Sequence, residues 1–535
     1  MRRVVLALPL AALLAAEAAA QVAELVRIGG HATGLGLGSA EVVAFDPGSR
    51  RAFLVNGVQP SLDLVDLSDP TAPRLVRRIP IAGGSPNGVA VHRGLVAVAV
   101  QDANPQRPGR VAFLDVEGAL LREVAVGAMP DMVTFSPDGR FVVTADEGEP
   151  SPDYAVDPEG SVSVIDLAPG LAQATARVLG FREFNAGAAR AAELPAGVRI
   201  FGPRASVAQD LEPEYVAVAP DSRTAFVALQ ENNALAVVDL AAGAILRILA
   251  LGAKDHALPN QGLDPSDRDG PSGGGAIRIR SAPVLGLFQP DAIAVLPLAD
   301  GAFAVLAANE GDARDWPGFS EELRVGATAY RLDPQRFPNA AALRQNAELG
   351  RLVVTNRLGD TDGDGDFDAI YAFGARSISL FHGSGGALLW DSGDELERIT
   401  ALASPPLFNS EGTPESFDTR SDNKGPEPEA LSVAWIGGRR YAVVGLERTG
   451  GFLVYDLTDP LRPLLLGYGP STGGDRSPEV ILLVPPEDSP SRRPLLLAAH
   501  EVSGTLGIYE LRLCRGAAPA PPSAFCPRES RGRAF

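Results

Sequence analysis

One pattern constrains this chain more than any other. Seven times a polar or acidic residue opens a short apolar stretch that runs into a turn. The segments are SAEVVAFDPGS (Glu41), SPNGVAVHRG (Asn87), MPDMVTFSPDG (Asp131), EPEYVAVAPDS (Glu214), QPDAIAVLPLADG (Asp291), EPEALSVAWIGG (Glu429) and SPEVILLVPPE (Glu479). Most carry proline directly before the polar residue. A second apolar strand follows each and also ends polar, at Asn56, Asp102, Glu147, Glu231, Glu310, Glu447 and Glu501. A third strand comes later, as in LDLVDL, VSVIDL and FLVYDL, and usually a fourth. Seven units of four short antiparallel strands are the sequence form of an all-β, seven-bladed β-propeller. A pair of β-sandwiches or a β-helix is the competing reading. The lone Trp390-Asp391 pair does not recur, so nothing points to WD40 repeats.

The last unit lacks a fourth strand, because GIYELRLC runs into the tail, while AELVRIGG precedes the first unit. The expectation is that this N-terminal strand completes the last blade and closes the ring, which removes the exposed sheet edge. A repeat also absorbs 535 residues into one unit, and 58 Gly with 45 Pro suit many tight turns. Longer gaps before Glu214, Asp291 and Glu429 read as loop decorations on the ring.

The first residues, MRRVVLALPLAALLAAEAAAQ, have the charged, apolar and small-residue order of a secretory signal peptide. Cleavage is expected near Ala20, with a retained N-terminal anchor as the alternative; the apolar core is short for a membrane span. The organisation is therefore residues 1–20 as signal peptide, 21–513 as propeller and 514–535 as a Pro-rich tail. In an exported chain Cys514 and Cys526 are expected to pair and close a small loop in that tail. No later segment is long and apolar enough to cross a membrane. A net charge of −19 argues against nucleic acid and anionic membrane as partners.

Within a blade, the first strand starts and the second strand ends at the same end of one hairpin. The polar sets therefore share a face around the channel mouth. Asp131, Glu214, Asp291, Glu429, Glu479 and Glu501 are candidate metal ligands there, with Glu41, Asp102 and Glu231 in the same two sets. Glu147, Glu310 and Glu447 are candidate ligands or general bases. Arg314, Lys424 and Arg448 are candidate partners for an anionic substrate, and Arg420 lies beside them in sequence. So many carboxylates on one cavity require raised pKa values, basic partners or cations. Oxygen-only ligands favour Ca²⁺ or Mg²⁺, and His500 is the one imidazole at a motif position. The alternative is that these groups bond neighbouring blades and channel water.

A separate cation signal is DTDGDGDFD, with Asp360, Asp362, Asp364, Asp366 and Asp368 at alternate places and Gly365 at the sixth. It matches the start of a calcium loop. Tyr371 stands where an EF-hand has Glu, and no helical pattern flanks it. GPSGG around Ser272 fits a nucleophile-elbow string but lacks the strand-to-helix context. No P-loop, Rossmann fingerprint or CxxC is present. His31, His92, His256 and His382 have no evident partner.

ADEGEPSPDYAVDPEGSVSVIDL, QPDAIAV with ANEGDARDW, LGDTDGDGDFDAIYAFGARSISLF, DTRSDNKGPEPEALSV, GLERTGGFLVYDLTDP and AAHEVSGTLGIYEL closely resemble the choice-of-anchor I family. The likeness covers about residues 23–513. It implies an exported bacterial propeller, of a kind often labelled alkaline phosphatase and related to a mesenchyme-specific cell-surface glycoprotein of animals. Such proteins usually carry a C-terminal surface anchor. This chain ends CPRESRGRAF, without sorting motif or apolar tail, so a free periplasmic or secreted form is expected, with surface association as the alternative; the expected state is a monomer. Two functions follow: a metal-dependent phosphoesterase acting on a small phosphorylated substrate, or a non-catalytic, calcium-stabilised surface or binding protein.

Overall fold

The structure, a computed structural model, describes residues 21–515. The expected signal peptide and Cys526 of the expected disulfide lie outside them. Seven four-stranded antiparallel sheets follow the seven repeats. Blade one runs Val43–Asp46, Arg51–Asn56, Ser61–Asp66 and Arg74–Pro80. The first strands of the next six are Gly84–His92, Pro130–Phe135, Val216–Val218, Ile293–Pro297, Pro428–Ile436 and Pro478–Val484. Each first strand touches the next, and the seventh touches the first again, so the sheets form a closed propeller-type ring.

The seventh sheet is completed by Gln21–Ala32, paired antiparallel to Thr505–Arg515 with Gln21 opposite Arg515. The N-terminal strand closes the ring as its sequence suggested. Closure is locked by Arg27 of that strand, whose Nε donates to Asp475 Oδ2 at 2.7 Å. Thr505 and Tyr509 donate to the same carboxylate.

Each blade is covered on both faces by its neighbours. Alternate residues of one strand therefore enter different cores, as a period of two requires. Val142 packs with blade two, and Val143 and Ala145 pack with blade four. This is why Phe141–Asp146 is buried along its whole length and reads as a nearly unbroken apolar run. The outermost strand Arg74–Pro80 has no such cover and is largely exposed.

Buried aspartates staple the blades. Asp146 is fully buried and accepts from the hydroxyls of Thr144, Ser161 and Ser163 and from the backbone N–H of Gly127 in blade two. Asp391 accepts from Ser377 at 2.7 Å and Ser379 at 2.6 Å.

The long insertions differ from the loop decorations expected. Segments 253–287 and 322–372 build a five-stranded sheet beside blades four and five. Leu263, Val325, Tyr330, Leu349, Leu352 and Ile370 form its own core. Its strands are only two or three residues long, too short for alternation to mark them in sequence.

Candidate functional site at the channel mouth

The x-Pro-Asp/Glu repeat has a shared backbone geometry. Met129, Gln289, Glu427 and Ser477, each just before the proline, have φ of 49°, 41°, 52° and 63°. Left-handed backbone is uncommon for non-glycine residues, and a residue before proline ordinarily takes extended backbone. The turned carbonyl has a recurring use. Those of Met129, Glu427 and Ser477 accept from the N–H of Glu147, Glu447 and Glu501 at 2.8–2.9 Å. The Gln289 carbonyl accepts from Gly311 at 3.1 Å.

The strand then bulges at the acid. Pro130 pairs with Asp146 and Met132 with Ala145, so Asp131 has no partner across the sheet. The same slip leaves out Asn87, Glu479, and Glu429 with Ala430. A β-bulge re-aims a side chain that strict alternation would send into a blade. One device therefore positions both acids of a blade: the bulge turns the first-strand acid, and the left-handed carbonyl ties down the second.

Two connected chemistries result along the axis. A channel of about 850 Å³ is walled largely by apolar residues, among them Val43, Val89, Val133, Leu431 and Ile481. Above it opens a polar mouth of about 410 Å³. Its lining holds Asp131, Glu147, Glu214, Asp291, Glu310, Asp312, Glu429, Glu447, Glu479 and Glu501, with Gln230, Lys424 and Arg448. Ten carboxylates thus meet two cations.

The cations are committed to the rim. Lys424 Nζ lies 2.5 Å from Glu310, 3.6 Å from Asp312 and 3.9 Å from Glu427. Arg448 lies 2.8 Å from Glu447. Arg420 holds Glu427 at 2.5 Å. Burial would lower the Lys424 ammonium, but Glu310, Asp312 and Glu427 outweigh it and hold the group well above its ordinary value. The carboxyls move the other way. Burial first, then neighbouring carboxylates, push Glu447, Glu429 and Asp291 well above the usual range, and Glu479 to about 8. Burial pushes Asp131 to about 6.

Three overlapping sets bring ligand oxygens within 4.8 Å of one another: Asp291, Glu310 and Glu429; Glu310, Glu427 and Glu447; Glu429, Glu447 and Glu479. The buried Oε2 atoms of Glu429 and Glu214 have no hydrogen-bond partner. Hard oxygen donors, clustered and left unpaired, fit Ca²⁺ or Mg²⁺.

Eleven of the twelve mouth residues expected from sequence as ligands, bases or substrate partners line this opening. Arg314 does not. It is 2% exposed and donates to Asp210 and Glu212, beside the opening but outside its lining. Its position in the acidic motif hid the buried partners it serves. Glu41 lines the channel wall, and Asp102 caps its own loop through the N–H of Asn104. Asp312, Gln230, Glu212 and Glu427 were missed. Glu212 and Glu427 both precede the proline of their repeats, where Met129, Gln289 and Ser477 stand in other blades, so the repeat itself masked them.

In the loop at 360–368, Asp360, Asp362 and Asp368 bring oxygens within 4.8 Å, whereas Asp364 and Asp366 stand outside the set. The glycines serve as expected: Gly363 and Gly365, both with positive φ, donate to Asp360. His500 is fully buried against Phe452 and Tyr509, apart from any ligand set.

Comparison with known proteins supplies context. The model of the Choice-of-anchor I domain matches residues 41–460. Gigasin-3a of Magallana gigas is 30% identical over 201 residues, covering 34% of this chain and 70% of that protein. Mesenchyme-specific cell surface glycoprotein of Strongylocentrotus purpuratus is 29% identical over 199 residues, covering 32% of this chain and only 26% of that protein. Kuenenia stuttgartiensis Hydrazine Synthase aligns over 90% of this chain and 96% of its own, at 13% identity and a TM-score of 0.43. The Myceliophteria thermophila Cps50 (Swd1) beta-propeller domain aligns over 91% and 99%, at 10% identity and the same score. At that score neither carries weight, and the architecture stands on strand pairing.

Proposed function

The chain belongs to the choice-of-anchor I family, and we propose that it is an exported, metal-dependent phosphoric ester hydrolase whose centre is the acidic channel mouth. The observation that carries this reading is the composition of one opening: ten carboxylates, with Lys424 and Arg448 at its edge. The three ligand sets share Glu310, Glu429 and Glu447, so neighbouring Ca²⁺ or Mg²⁺ ions would be held by common residues. A bound cation would polarise a phosphoryl oxygen and acidify a water molecule for in-line attack.

The remaining work falls to side chains. Lys424 and Arg448 are the only cations lining the opening among the described residues, and they complement phosphate charge. Both are anchored by carboxylates, which fixes their direction. In the metal-free site burial and the neighbouring Glu427 and Glu310 hold Glu447 well above the usual carboxyl range, so an entering cation would take the place of its proton.

The test uses the purified full chain loaded with Ca²⁺ or Mg²⁺ and assayed on phosphate mono- and diesters at alkaline pH. Hydrolysis should stop with a chelator, in Glu310→Ala and in Glu429→Gln. No hydrolysis of either ester class by the loaded protein would rule this reading out. The second reading, a non-catalytic calcium-stabilised surface or binding protein, has one observation in its favour. The described mouth lining has no Ser, Thr, Cys or His to act as a nucleophile. Under that reading a chelator lowers thermal stability while no activity exists to lose.

A further inference from the structure

Beside the mouth, on the side of blades three and four, lies a second group of carboxylates. Glu147, Glu212 and Glu231 bring ligand oxygens within 4.8 Å of one another. They are 7%, 3% and 6% exposed. Their nearest cations are already engaged. Arg314 donates to Asp210, and to Glu212 at 3.0 Å. Arg199 pairs with Glu321 and donates its other arm to the Glu231 carbonyl at 2.6 Å. Five buried carboxylates therefore face two guanidiniums. Asp210 and Glu321 absorb that positive charge first, since each is also held by backbone N–H groups.

A charge imbalance of this kind is costly in a dry site unless a cation enters or protons stay bound. A separate observation decides in favour of a ligand. The Oε2 atom of Glu231 is buried without any hydrogen-bond partner, and so is the hydroxyl of Tyr154, which lies within electrostatic reach of Glu212 and Glu231.

We propose that Glu147, Glu212 and Glu231 form a divalent-cation site distinct from the ligand sets of the mouth, taking Ca²⁺ or another hard cation. Glu147 also lines the mouth, so the site holds one wall of that opening in place. The inference does not depend on hydrolysis.

Terbium ions tests it, because a nearby tyrosine sensitises their emission. Titrating the full chain with Tb³⁺ should give sensitised luminescence that falls by at least half in Tyr154→Phe. Glu212→Gln/Glu231→Gln should abolish that component and lower the calcium stoichiometry seen by calorimetry by one. Glu429→Gln, which belongs to the mouth alone, should leave the Tyr154 component intact. Emission insensitive to Tyr154→Phe, together with unchanged stoichiometry in the double variant, would overturn the proposal. Should the double variant fail to fold, an anomalous-scattering map of Tb³⁺-soaked wild-type crystals decides: a peak among the three glutamates supports the site, and its absence refutes it.

Discussion

Stripped of divalent cations, this fold should lose stability steeply as pH rises from 5 to 9. The perturbation is a chelator followed by a pH series from 5 to 9. Burial and neighbouring carboxylates raise the folded-state pKa of Glu41 to about 7 and those of Glu231 and Glu479 to about 8, against an ordinary 4.5. A raised folded-state value means the stabilising form is the protonated one. Its contribution is complete below about 4.5 and is lost as pH climbs through 7 to 8. Each tenfold change in a proton equilibrium is about 1.4 kcal/mol. Ionising Glu231 alone, 6% exposed, therefore costs on the order of 5 kcal/mol. At roughly 2 cal/mol/K of unfolding entropy per residue, a chain of this length would drop about 5 °C in Tm for that one group. Differential scanning fluorimetry with chelator, and again with millimolar Ca²⁺, reads it directly. Calcium should flatten the decline, because it replaces the lost protons. A metal-free Tm that is level or rising between pH 6 and 9 would refute the electrostatic reasoning for the whole mouth.

Other expectations follow from single contacts. Asp146→Ala removes the shared acceptor of three buried hydroxyls and should cost about 3 kcal/mol in a denaturant melt; a loss under 1 kcal/mol would show that the staple is ornamental. Arg27→Ala should cost about 2–4 kcal/mol at pH 7 by leaving Asp475 buried and unpaired. Burial raises Asp475, but Arg27, His500 and Tyr509 prevail and hold it below its ordinary 3.8. Stability from the pair is thus present above pH 4 and fades in stronger acid, so the variant and wild type should converge there. Met129→Val places a β-branched side chain at φ 49° and should cost about 1–2 kcal/mol, while Met129→Gly should be close to neutral. Equal losses from both would assign the effect to the side chain and not to the backbone.

Much of this was legible before any coordinates. Strand identity followed from alternation, ring closure from the missing fourth strand after Tyr509, and the shared mouth from hairpin polarity. What sequence concealed was conformation against local preference. Proline predicts extended backbone at Met129 and Ser477, yet both are left-handed because their carbonyls are needed by Glu147 and Glu501. Nor does a one-residue bulge announce itself, since Asp131 fits the alternation equally well in either register. Arg314 read as a mouth residue because sequence shows proximity along the chain. Its partners Asp210 and Glu212 lie about a hundred positions away. The five-stranded insertion has strands too brief to carry a period.

Ring closure has a consequence for how the chain reaches this state. Gln21–Ala32 is synthesised before every blade, and its partner Thr505–Arg515 only after the other six are made. Closing so long a loop costs little more entropy than closing one of half the length, but contacts of such sequence separation form slowly. Until then the edge of the last blade stays open and the N-terminal strand stays free. Any second copy in the same state offers an identical strand for an identical edge, so concentration decides between a closed monomer and a swapped dimer. The feature that makes the finished ring edgeless makes its assembly a race between intramolecular and intermolecular closure.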